Sequence, residues 1–349
     1  MNPALSLREL GLRIGDLEPG PAGTIADAGV TVGHVTVDRE EPDPPAGRGV
    51  ARTGVTAIVP GDPATLRERS PRAGAAVLNG AGELSGFLQV MEWGVLQTPV
   101  YLTATMSVGR VYDGAVAAAI AADPVVGDEH VVIPLVGECD DSWLNDARTV
   151  QVEAADAGRA VAAAGAEVAQ GAVGAGRGMI CFDYKGGIGS SSRVTAEGHV
   201  VGVLLLTNFG SKEELRVDGV PAGRLLGGES GEPHPAGSCI AVVATDAPLD
   251  SAQLSRIARR AGLGLARTGS VAHHGSGEIF LAFSTADAAG LRDAELDPLF
   301  QATVEATEEA VLNSLWHAET VTGRDGRVIE ALPRDETSDL LAAHHRLER

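Results

Sequence analysis

The chain has 349 residues, of which 44% are hydrophobic and 21% charged, enough for one large or two small domains with a sizeable core and too apolar for a disordered chain. It carries 27 Lys+Arg against 47 Asp+Glu, a formal charge of −20, which repels phosphate backbones and argues against nucleic-acid binding. Three scattered cysteines without Cys-x-x-Cys, no run of about 18 apolar residues and no basic-then-apolar start argue against a disulfide framework, a zinc finger, a membrane span and a secretory signal, leaving a cytoplasmic protein as the expectation.

In chain order, the 45 glycines first predict many tight turns. Residues 29–37 alternate apolar and polar as a half-buried strand does, and 54–60 and 99–105 read as strands too. Leu84, Phe87, Leu88 and Met91 fall at helical spacing, as do Val108, Val111 and Ala115. Residues 131–136 have the pattern of a buried strand, and the Ala-rich 150–164 that of a helix. Residues 179–184 and 200–207 read as strands of one sheet, with a hairpin turn at Ala196-Glu197-Gly198. Residues 210–237, with Gly227-Gly228, Pro233 and Pro235, form an aperiodic loop of a length that marks a functional segment, a lid or disorder. The run 238–245 then reads as a buried strand. Pro248-Leu249-Asp250 opens a helix with Leu254, Ile257, Ala258 and Ala261 as its stripe. Residues 278–285 form another strand, and Asp297-Pro298 starts a long helix carrying Phe300, Val304, Val311 and Leu315. Gly323 to Gly326 is a turn between 319–322 and 327–332, and the last dozen residues form a surface helix or a frayed tail. This mixed order predicts α/β or α+β layers.

Familiar catalytic signatures are missing. There is no Gly-x-Ser-x-Gly, no His-Glu-x-x-His and no P-loop, and the glycines at 174, 176 and 178 miss dinucleotide spacing. His273-His274 precede Gly275-Ser276-Gly277-Glu278 and read as structural or pocket-lining; His344-His345 sit in the tail. Cys139 and Cys239 read as small buried residues. The sharpest feature is Gly237-Ser238, where the long loop meets the buried strand. It is either an ordinary loop end or a bond that the chain cuts itself. A cut would leave Ser238 with a free α-amine of pKa near ~7.7–8.0, able to act as base for its own hydroxyl.

An ordered set of motifs runs through nearly the whole chain: residues 25–34, 79–83, 107–109, Gly137-Glu138 with Leu144-Asn145-Asp146, 182–193, Asn208-Phe209-Gly210, Gly237-Ser238 and Ser276-Gly277-Glu278. In this set the chain resembles the L-aminopeptidases/D-alanyl esterase-amidases and the β-peptidyl aminopeptidases, N-terminal-nucleophile hydrolases made as one precursor. The resemblance implies a single-domain, four-layer α/β/β/α sandwich cut between Gly237 and Ser238 into an α subunit, 1–237, and a β subunit, 238–349. It implies Ser238 as nucleophile, Asn208 as oxyanion donor, Ser276 and Glu278 as partners of the nucleophile's hydroxyl and amine, and Glu138 as receiver of the substrate ammonium. It implies no metal or organic cofactor, small peptide, amide or ester substrates, and a homo-oligomer of processed pairs, with no nucleic-acid or membrane partner. Relatives carry an aromatic residue where this chain has Asp140, so Glu138, Asp140 and Asp141 are expected to make the pocket strongly negative. The two products carry 17 basic against 30 acidic and 10 basic against 17 acidic residues; both are anionic, so a shared sheet and core must hold them together. An acyltransferase of similar architecture, which would use Thr at the new terminus, and an uncut, non-catalytic binding protein are the competing readings.

Overall fold

The computed structural model describes residues 5–227 and 237–347. Its elements follow in chain order as β1 (Thr31–Arg39), β2 (Ala51–Val59), β3 (Arg72–Gly80), α1 (Phe87–Trp93), β4 (Val100–Ala104), α2 (Val108–Ala122), β5 (Leu135–Cys139), α3 (Ala155–Ala162), β6 (Ile180–Cys181), β7 (Tyr184–Lys185), β8 (Ile188–Val194) and β9 (Val200–Asn208). After these come α4 (Ala222–Leu225), β10 (Ser238–Thr245), α5 (Ser251–Arg267), β11 (Gly277–Ser284), α6 (Asp297–Trp316), β12 (Val321–Thr322), β13 (Val328–Ile329) and α7 (Arg334–Ala343).

Two sheets carry the architecture, one in the order β1-β2-β4-β5 and one in the order β3-β11-β10-β9-β8. Successive side chains on a strand point to opposite faces, and β10 uses both. Ile240, Val242 and Ala244 join a core with Ile58, Leu102, Leu135 and Cys139 of the other sheet. Cys239, Ala241 and Val243 instead meet Leu254, Ile257, Ala258 and Ala261 of α5 and Ala302 and Ala306 of α6. On the far side of the first sheet, Val55, Ala57 and Tyr101 pack on Val111 and Ala115 of α2 and Ala157 and Ala160 of α3. The layers are therefore α/β/β/α, as expected. Helix α5 starts where Asp250 accepts from the Gln253 N–H at 2.8 Å while Gln253 accepts from the Asp250 N–H at 3.1 Å, a reciprocal cap.

Several local expectations shift. The strand read at 131–136 begins after Pro134 instead: Pro cannot donate to a ladder, and Val131 is exposed. Residues 179–184 are not part of the large sheet. Phe182 and Asp183 have φ of +51° and +59° and turn β6 back onto β7 as a separate small hairpin. On α1 it is Val90 that is buried, while Leu88 and Met91 face solvent. The helix read at 150–164 shortens to α3. The supposed loop is built through residue 227, with a 3-10 turn at Lys212–Glu214 and α4 tied by the Gly223 N–H to the Leu215 carbonyl at 3.0 Å. Gly228, Pro233 and Pro235 lie outside the described residues. β3 was not anticipated, because its Gly/Ala-rich sequence lacks a β-branched run.

Candidate active site

Ser238 is the first residue of β10, in phase with Ile240 and Val242, so it belongs to the face turned toward the other sheet. It pairs in register with Asn208, the last residue of antiparallel β9. Gly237 sits hard against this strand end. A Cβ there would fall 1.6 Å from the Asn208 carbonyl oxygen, so no other residue fits without moving the backbone. Asn208 is itself held at both ends of its amide. Its Oδ1 accepts from the Ile180 N–H at 2.8 Å, and its Nδ2 donates to the Asp140 carbonyl at 2.8 Å. One N–H of Nδ2 remains for a further acceptor.

Parallel β11 supplies the next group. Ser276 and Glu278 share a face, as their spacing predicted, and the Ser276 hydroxyl donates to Glu278 Oε1. The bond that reaches Ser238 from this segment comes from the residue between them: the Gly277 N–H donates to Ser238 Oγ at 3.2 Å. Glu278 is fully buried, its pKa is raised chiefly by that burial, and its Oε2 has no partner among the described residues.

The carboxylate of Glu138 comes from the other sheet. Gly137 precedes it on β5, and a Cβ at Gly137 would lie 3.0 Å from Cγ2 of Ile240 on β10. The missing side chain lets the two sheets approach at this point. Glu138 Oε1 accepts from the Glu83 N–H at 2.9 Å, and Oε2 from the Thr105 hydroxyl. Burial, the largest influence, raises its pKa over the lowering effect of those bonds. Glu138, Asp140, Ser238, Ser142, Thr105 and Gly275 line one cleft of about 650 Å³, with Arg148 and Arg324 also in its wall.

Of the three acids expected in the pocket, Asp141 turns into the protein, where its Oδ1 accepts from Asn145 Nδ2 at 3.0 Å; Glu83 joins Glu138 and Asp140 in the cleft wall, together with the two arginines. His273 and His274 are exposed; His273 Nε2 lies 2.9 Å from Glu214, and the two backbone carbonyls accept from Asn79 Nδ2. All three cysteine thiols are free and buried, and burial raises their pKa values. Sequence reasoning missed Thr105, the Glu83 and Gly277 amides and the two arginines. Backbone donors carry no residue signature. Arg324 was visible only as part of a Gly-Arg-Asp-Gly turn.

The chain as a whole is similar to known proteins. The model of the family described as Peptidase family S58 matches residues 24–329. The "Beta-peptidyl aminopeptidase BapA" of Sphingosinicella microcystinivorans is 38% identical over 373 residues, covering 97% of this chain and 92% of that protein. A solved β-aminopeptidase from Burkholderia sp. is 40% identical with a TM-score of 0.88, covering 97% of this chain and 99% of that one. The l-aminopeptidase d-Ala-esterase/amidase of Ochrobactrum anthropi, described as a prototype for the serine aminopeptidases and a new variant among the Ntn hydrolase fold, is 32% identical with a TM-score of 0.90. That match covers 98% of this chain and 99% of that one.

Proposed function

The chain belongs to peptidase family S58, and from that premise we propose that it is made as one polypeptide, cuts its own Gly237–Ser238 bond and then works through Ser238. It is a hydrolase of the aminopeptidase or amidase type. The observation that carries the proposed mechanism is the Gly277 N–H bonded to Ser238 Oγ, with Asn208 in register beside Ser238 and Glu138 in the same cleft.

In processing, Ser238 Oγ attacks the Gly237 carbonyl, the C–N bond breaks, and water hydrolyses the resulting ester. Ser238 is left with a free amine and Gly237 with a carboxylate. In turnover, a substrate places its ammonium on Glu138 and its carbonyl over Ser238. The hydroxyl attacks while the α-amine takes its proton, and the free N–H of Asn208 Nδ2 donates to the oxyanion, a contribution worth ~2.7–4 kcal/mol in other hydrolases. The leaving amine departs with that proton, and water releases the acyl group. Glu278 receives the α-ammonium on Oε2, with Ser276 holding its other oxygen; the lack of any partner for Oε2 among the described residues supports this. Asp140 contributes its carbonyl to Asn208 and its side chain to the cleft wall. Small peptides, amides and esters are the substrates, and several processed pairs assemble together in the cytoplasm. No described helix is long and apolar enough to cross a membrane.

N-terminal sequencing and intact mass test this reading. Wild type is expected to give two polypeptides, one starting at Ser238, and to cleave aminoacyl-p-nitroanilides but not their N-acetylated forms. Ser238→Ala is expected to stay at 35.7 kDa and to be inert. An uncut wild type that turns over amides at full rate would overturn the mechanism. Equal rates on acetylated substrates would remove Glu138 from its role.

A further inference from the structure

The cleft wall carries both charges, Glu83, Glu138 and Asp140 on one hand and Arg148 and Arg324 on the other. Ser238 and Glu138 are buried, whereas the side chain of Arg148 is 50% exposed and that of Arg324 is 24% exposed. Arg324 arrives in the cleft wall through the turn between β12 and β13, and that turn is clamped to the segment following Glu138. The Arg324 N–H donates to the Leu144 carbonyl at 2.9 Å. Arg327 donates to the Trp143 carbonyl at 3.2 Å and lays its guanidinium 4.2 Å from the Trp143 ring centroid. The two arginines differ in how far they are already engaged. Arg148 is held by Asp146 at 2.6 Å and Asp43 at 3.1 Å. The partner of Arg324 is Asp325 at 3.2 Å, a half-exposed neighbour in sequence, and solvent screening leaves such a pair weak.

A substrate anchored by its ammonium at buried Glu138 extends its leaving part toward the more exposed lining of the same cleft, to which both arginine side chains belong. When the leaving part is one amino acid, its carboxylate lies one residue past the scissile amide, and a dipeptide spans roughly 7 Å at full extension. A cleft of about 650 Å³ accommodates such a ligand. A carboxylate entering beside Glu138 and Asp140, on a protein of charge −20, is repelled unless a cation receives it. A guanidinium fork offers two parallel N–H groups to that group.

We propose that Arg324, with Arg148 beside it, receives the free C-terminal carboxylate of the leaving residue, which makes dipeptides with an unblocked C-terminus the favoured substrate class over carboxamides, esters and anilides. This rests on the aminopeptidase reading above. The test compares kcat/KM for alanyl-alanine and alanyl-alaninamide, and for their β-alanyl counterparts, in wild type, Arg324→Gln and Arg324→Lys. Each variant is scored by its own acid-to-amide ratio, so a general loss of folding or catalysis cancels. A wild-type ratio of about ten is expected, from charge-assisted hydrogen bonds of ~1.5–3 kcal/mol. The difference should lie in KM, fall to about one in Arg324→Gln and be partly kept in Arg324→Lys. The same ratio in wild type and Arg324→Gln overturns the inference alone. Processed wild type that cleaves neither the acids nor the amides overturns the aminopeptidase reading and this inference with it.

Discussion

Asp141 shows how far neighbouring acids can diverge. Glu138, Asp140 and Asp141 look alike in the sequence, and only the structure separates them: two face the cleft and the third is buried against Asn145. Burial is the largest influence on Asp141 and pushes its pKa up to about 7. Between its ordinary value near 3.8 and about 7, the unfolded chain is ionised at this position while the folded chain keeps the proton. Stability contributed here therefore falls as pH rises through that window and is level above it. Asp141→Asn has no proton to keep. It is expected to match wild type near pH 3.5 and to be more stable by roughly 2–4 kcal/mol at pH 7.5. Denaturant unfolding at several pH values measures this, and a difference that does not change with pH would mean that Asp141 is not the titrating group. The candidate residues Ser238, Ser276 and Glu278 were legible through the ordered set of motifs shared with the family, since Gly237-Ser238 alone also reads as an ordinary loop end. Their partners were not. A carbonyl such as that of Asp140, or an N–H such as that of Ile180, is supplied by whichever residue the fold brings there.

At the scale of elements, the long strands and helices were read well where a period ran for several residues. β10 and β11 appear within a residue of their expected ends, and α5 starts directly after its expected Pro248-Leu249-Asp250 opening and runs on to Arg267. The failures share a cause, in that short elements are set by turn geometry and by tertiary contacts that no period records. The β6–β7 hairpin is the clearest case, and it also bears on the site. Its last residue, Lys185, is fully buried with its Nζ donating to the carbonyls of Gly176 at 3.0 Å, Met179 at 2.6 Å and Gly186 at 2.8 Å. Burial draws its pKa well below the ordinary lysine value. The ammonium gathers the backbone on both sides of Ile180, whose N–H orients the Asn208 amide. Lys185→Met keeps the bulk and removes the donors. It is expected to cost about 1–3 kcal/mol of stability and, on the proposed mechanism, to lower kcat several-fold with KM little changed, because the proposed oxyanion donor Asn208 is misaligned while Glu138 is untouched. Steady-state kinetics beside thermal melts check this; lost stability with unchanged kcat would make Lys185 a purely structural residue.

For the molecule as a whole, the proposed cut raises the issue of what would join residues 1–237 to 238–349 without their peptide bond. Both portions are acidic, so their net charges repel. The sheet supplies one answer: β10 and β11 lie between β9 on one side and β3 on the other, so the later portion contributes the centre and the earlier portion both flanks. Charge supplies a second that net sums conceal. Glu309 of α6 bonds Arg8 and lies 2.6 Å from Arg193 of β8, and Glu305 accepts from the N–H groups of Asp16 and Leu17 at 3.1 and 3.0 Å. Glu309 has its pKa lowered: burial would raise it, but Arg8 and Arg193 outweigh that effect. Its contribution is therefore present above the ordinary carboxylate range and is lost as pH falls through its depressed folded value. Because these pairs are buried, added salt screens them little, while it relieves the surface repulsion. The processed portions are accordingly expected to co-elute in 1 M NaCl at pH 7 as they do at low salt, and to separate only in denaturant or strong acid. Glu309→Gln, which leaves Arg193 underpaired, is expected to cost about 3–5 kcal/mol of stability at pH 7. Size-exclusion chromatography across salt and pH decides the matter, since dissociation by salt alone would mean that surface charge, and not the shared sheet and its buried pairs, holds the cut molecule together.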